Sequence, residues 1–173
     1  LDAQVIDGKC ELAVATDFDP GDHVKPARIY DMIEPADPTQ KWEPVRLPAE
    51  PTVHRMRWMK LADGSIGLVV APLHYPPGQR GSKVQLYRMP KNPHDPWPTE
   101  LIENQMDFTH NFQVLNSSGI LLAGEQGLRL LSRANDGTWS GTWAVSPKQY
   151  PDFKGASEVY TGKLKSATFI ATV

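Results

Sequence analysis

Asp63-Gly64-Ser65-Ile66-Gly67-Leu68-Val69-Val70-Ala71 joins a glycine turn to a short apolar run rich in β-branched residues. The run recurs as Leu12-Ala13-Val14-Ala15, Ile120-Leu121-Leu122-Ala123 and Phe169-Ile170-Ala171-Thr172. Starts at 12, 68, 120 and 169 are 56, 52 and 49 residues apart, the spacing expected of a repeat built from small supersecondary units. Turns precede the copies as well: Asp7-Gly8, Asp63-Gly64 and Ser118-Gly119, with Lys165-Ser166 before the fourth. Glycine accepts the positive φ of a tight hairpin, and Asp or Ser hydrogen-bonds the turn backbone.

Working outward, a strand is predicted before each turn, at 53–60, 108–114 and 157–162. Two more follow the apolar run, at 27–33, 83–89 and 127–132, and then at 41–47, 96–102 and 137–145. Tryptophans mark the last of these, at 42, at 97 and at 139 and 143. Pro44 and Pro98 fall in that last strand, where each removes a ladder donor, so it should be an edge. Four short antiparallel strands with a proline-bearing outer edge describe a β-propeller blade. The chain is therefore expected to be all-β, with blades at 1–50, 51–106 and 107–153 and a partial blade at 154–173. A β-sandwich has a similar strand count, but the matching residues at matching places favour the propeller. Helix has little room, because 16 prolines and 13 glycines interrupt nearly every long window.

Three and a half blades do not close a ring, so missing sequence, a second chain or an open arrangement is expected to complete it. The chain starts at Leu1 and stops at Val173 inside an apolar run, which reads as an excerpt of something longer. Eighteen basic against 20 acidic residues, scattered along 173 positions, suit neither nucleic acid nor a membrane surface. No apolar run approaches a membrane-spanning length, and a soluble protein is expected. The lone Cys10 excludes an intrachain disulfide. Asp7 to Glu11 keeps only fragments of a calcium loop, and Asn116-Ser117-Ser118, a glycosylation acceptor by pattern, falls in a hairpin turn. No phosphate loop, zinc-finger spacing or nucleophile elbow is present.

Chemistry is expected where the innermost strands converge. His54 in Val53-His54-Arg55-Met56-Arg57-Trp58 aligns with His110 in Thr109-His110-Asn111-Phe112-Gln113-Val114, and with Glu158 in Ala156-Ser157-Glu158-Val159-Tyr160-Thr161-Gly162. Two imidazoles and a carboxylate at one level could hold a divalent metal ion with open positions for substrate. The bland alternative is that the histidines are satisfied core residues or hydrogen-bond between blades. Arg55 and Arg57 could grip an oxygen-rich ligand, although such arginines more often pair with a carboxylate between blades. His74 ends the following strand and could reach the same mouth, whereas His23 and His94 lie in loops expected to face solvent. Tyr160 is expected to pack.

His54-Arg55-Met56-Arg57-Trp58, the strand at 67–74, Thr109-His110-Asn111-Phe112 and Gly155-Ala156-Ser157-Glu158-Val159 together resemble the FG-GAP/VCBS-like propellers. The similarity is greatest to the propeller domains of aldos-2-ulose dehydratases and their bacterial relatives. That resemblance implies a seven-bladed ring with a metal-containing cavity, His54, His110 and Glu158 at the site, and removal of water from an oxidised sugar. The expected reaction is a metal-assisted β-elimination on a keto sugar. A non-catalytic propeller that binds carbohydrate or a protein partner is the alternative, and a structural piece of a larger assembly is a third.

Overall fold

The structure is a computed structural model and describes residues 1–146 and 155–173. Its regular elements are 14 β-strands. The first sheet comprises β1 (Asp2–Ile6), β2 (Lys9–Thr16), β3 (Arg28–Ile33) and β4 (Glu43–Leu47). The second comprises β5 (Val53–Lys60), β6 (Ile66–Pro72), β7 (Val84–Arg88) and β8 (Thr99–Glu103). The third comprises β9 (Asn111–Asn116), β10 (Gly119–Gly124), β11 (Gly127–Arg133) and β12 (Trp139–Val145). A two-stranded fourth pairs β13 (Val159–Leu164) with β14 (Ala167–Thr172). All pairings are antiparallel between strands consecutive in sequence.

Turn chemistry fixes this meander. Asp7 and Gly8 both have positive φ, 53° and 84°, which is the backbone of a two-residue type I′ hairpin whose twist matches its strands. Asp63 Oδ1 accepts from Ser65 N at 2.9 Å, and Asp136 and Asn116 do the same for Thr138 and Ser118. Pro44 lies in β4, an edge strand, where a missing N–H is tolerated. Pro98 sits just before β8, its carbonyl accepting from Arg88 N at 2.9 Å.

Burial follows the strand period of two. In β6, Leu68 and Val70 pack toward the first sheet with Ile29, Leu47 and Trp58. Alternating with them, Val69 and Ala71 pack toward the third sheet with Leu86, Phe112, Ile120 and Leu131. A third cluster, Leu121, Ala123, Leu128, Ala156 and Val159, joins the third sheet to the fourth. Successive sheets thus stack face to face with a separate core in each gap, so β6 and β10 are buried on both faces. A two-layer sandwich, with one core between two sheets, does not describe this chain. The boundary expected between the third and fourth units, at residues 153 and 154, lies outside the described residues.

The first strands of successive sheets, β1, β5, β9 and β13, contact one another in order. Meander topology then sorts the loops into two ends. The start of each first strand shares an end with the β2–β3 and β6–β7 connections, and the β1–β2 and β3–β4 hairpins lie at the other.

Candidate functional site at the first strands

Two histidines link neighbouring sheets in the same way. His54 Nδ1 donates to the His110 carbonyl at 3.0 Å, and His110 Nδ1 donates to the Ser157 carbonyl at 3.1 Å. A carbonyl only accepts, so the proton is on Nδ1 in each ring, and in the neutral ring the lone pair is on Nε2. The rings meet edge to face with centroids 4.7 Å apart. This bears on the bland reading of the histidines: both do hydrogen-bond between sheets.

The ladder of bonds also corrects the expected alignment. Ser157, not Glu158, occupies the level of His54 and His110. A second repeated bond agrees: Asp2 Oδ2 accepts from Trp58 N at 2.9 Å, and Gln113 Oε1 accepts from Thr161 N at 2.6 Å. Thr161 therefore corresponds to Trp58 and Val114, and Glu158 to Arg55 and Asn111. The pairing of Thr161 with Ile170, against Trp58 with Leu68, shows why. The fourth apolar run matches from Ile170, and Phe169 is one residue too early.

At that corrected level, side chains of three sheets meet. Arg55 Nη2 lies 3.6 Å from Glu158 Oε1, reaching past the third sheet, and Asn111 Nδ2 donates to Glu158 Oε2. Arg55 Nη1 also donates to His54 Nε2 at 3.2 Å. Burial first, and then the Arg55 charge, lower the His54 imidazole to about 4, so His54 is neutral near pH 7. These groups, with Arg57 and Tyr160, line a cleft of about 290 Å³. His110 opens instead onto a neighbouring cavity of about 470 Å³ with Phe108, Glu125 and Ser157.

Arg57 lines the cleft but is committed to the first sheet, 3.5 Å from Asp2 Oδ1 and donating to the Met56 carbonyl at 2.8 Å. Both arginines thus pair with carboxylates of other sheets, as the bland reading expected. His74 is at the same end but outside the polar cluster. Its ring stacks on His23 at 4.4 Å and meets Phe108 edge-on at 4.3 Å, and burial, then the neighbouring His23, lower its pKa. His23 was expected in solvent with His94; it is half-buried by this stack and bonded to the Pro20 carbonyl. His94 is exposed, 3.8 Å from Glu43. Asn111 was passed over in the sequence, and its signal was its place directly after a repeated histidine.

A divalent ion at His54, His110 and Glu158 can be tested against this geometry. Nδ1–H groups fixed by carbonyls are what metal-ligating imidazoles require. The rest of the set does not fit as it stands. A guanidinium occupies the His54 lone pair, Glu158 is engaged by Arg55 and Asn111, and the two histidines face different cavities. Among the described residues, no three His, Cys, Asp or Glu are grouped to hold an ion.

What the arrangement can do is present a cation, an amide and a carboxylate from three strands to a ligand with several oxygens. A scan against protein-family models finds no match to the chain, and searches of curated proteins and of solved structures find none either.

Proposed function

We propose that the four sheets are blades of a β-propeller, seven-bladed when complete, whose first strands bind an oxidised sugar and remove water from it. Missing sequence or a second chain supplies the rest of the ring. The observation that carries the site is the meeting of Arg55, Asn111 and Glu158 from three successive first strands. The resemblance of 54–58, 109–112 and 155–159 to the dehydratase propellers supports the chemistry.

On this reading Arg55 holds the carbonyl oxygen of a 2-keto sugar and stabilises the negative charge that develops there. Asn111 and Glu158 bind hydroxyls. With the sugar spanning the cleft and the neighbouring His110 cavity, the proton alpha to the carbonyl passes to Nε2 of His110, a carbon–carbon double bond forms, and the β-hydroxyl leaves as water with a proton returned to it. His54 is a poor base while Arg55 holds its lone pair, so it orients Arg55. No step is assigned to an ion.

The test is to supply an aldos-2-ulose to the protein and follow both binding and the ultraviolet absorbance of an enone. Arg55→Ala and Asn111→Ala should each weaken binding at least tenfold, and His110→Ala should abolish enone formation while sparing binding. Binding without enone formation in the wild-type protein would sink the lyase and leave the non-catalytic carbohydrate-binding propeller. No binding at all would sink both.

A further inference from the structure

At the opposite end of the sheets, the gap between the first and second holds a buried carboxylate that has no counter-charge among the described residues. Asp31 on β3 pairs with Ala13 as Leu86 on β7 pairs with Val69, and the two positions correspond in the repeat. Leu86 is fully buried; Asp31 is only 2% exposed in the equivalent place. Its Oδ1 is buried and has no hydrogen-bond partner among the described residues. Burying an unpaired carboxylate is costly, and an apolar residue would serve packing better.

Asp31 lines a cleft of about 540 Å³ together with Glu11, Glu34 and Glu43, closed by apolar Ile33 and by Met89 of the second sheet. Two of these carboxylates are engaged: Glu34 Oε2 accepts from Cys10 N at 3.0 Å, and Glu43 lies 3.8 Å from His94. No three acidic or histidine side chains here are grouped as a metal site. An organic cation makes a lesser demand, needing one carboxylate and an apolar wall for its stem.

We propose that this cleft binds a primary ammonium or guanidinium group carried on an apolar stem, with Asp31 as its counter-ion. Glu11, Glu34 and Lys9 face Asp31 from its own sheet, as does Glu43, and Lys91 and His94 face it from the second. The negative side chains outnumber the two lysines, so the cleft favours a cation. Burial, and then the nearby Glu11, raise the Asp31 carboxyl to about 6, so occupancy should fall as pH drops through that value.

The experiment titrates the full chain at pH 7.5 with butylammonium, with 1-butanol as the uncharged control and magnesium as the competing ion. Butylammonium should bind at least tenfold more tightly than 1-butanol, and Asp31→Leu should weaken it at least tenfold. Asp31→Leu copies the residue of the second sheet, and an unchanged or raised Tm shows that it folds. Equal binding of alcohol and amine, no binding of the amine, its survival in Asp31→Leu, or displacement by equimolar magnesium would each overturn the proposal. The cleft is remote from Arg55, so Arg55→Ala should leave the result unchanged.

Discussion

The gap between the first and second sheets and the gap between the second and third are filled by the same repeat positions, yet they treat charge differently. In the second gap Arg129 and Glu103 are both buried and lie 3.0 Å apart, and Arg129 also donates to Gln105 Oε1 at 2.9 Å. Near its surface Arg133 grips Glu100 through two bonds of 3.0 Å. In the first gap Asp31 is buried with no such partner among the described residues. A charge removed from water is tolerated when its partner is built in. Where none is built in, the chain loses stability to retain it, and a ligand becomes the economical explanation.

The comparison is broken most severely at Arg129. Arg129→Met should lower stability by about 3 to 5 kcal/mol, because it strands Glu103 as a buried charge. The double variant with Glu103→Leu should recover most of that loss, since an apolar pair of similar volume often matches a buried ion pair. Denaturant unfolding of the two single variants and the double gives the coupling directly. Additive losses would show that the pair is not a unit.

The opposite outcome is expected at Asp31. Asp31→Leu should raise stability by about 1 to 3 kcal/mol at pH 7 without ligand, the usual cost of an unsatisfied buried polar group. With its native carboxyl raised to about 6 from an unfolded value near 4, the folded chain holds a proton that unfolding releases. Stability from this group is thus greatest at low pH, falls between about pH 4 and 6, and is flat above. The gap between wild type and Asp31→Asn should widen over that window and stop widening beyond it.

Much of this was legible in the sequence, and particular residues show where it ceased to be. Strand β5 falls at 53–60 as expected, and Asp63-Gly64 and Asp7-Gly8 announced their hairpins, because turn chemistry is local. The site level was read one residue off in the fourth sheet. Phe169 and Ile170 are both apolar, so composition cannot say which begins the run, and a single-residue slip exchanges the faces of a strand. The bonds between His110 and Gln113 and the next strand, with the pairing of Thr161 and Ile170, fix the register. Arg55 on the lone pair of His54 was likewise invisible, since spacing gives a level but no orientation. Asp31 carries no signal of its own within the strand expected at 27–33, because the Met89 to His94 segment that lines its cleft belongs to the next sheet.

The smallest expected effect lies at the surface of the first gap. Lys60 Nζ is 2.6 Å from Asp7 Oδ1, but the two side chains are 50% and 64% exposed. Water competes for both charges, salt screens them, and ordering a lysine costs side-chain entropy. Lys60→Ala should therefore change unfolding stability by only about 0.2 to 1 kcal/mol, and less in 1 M salt. If it instead cost as much as Arg129→Met, short contacts at the rim, and not burial in the gap, would be what joins one sheet to the next.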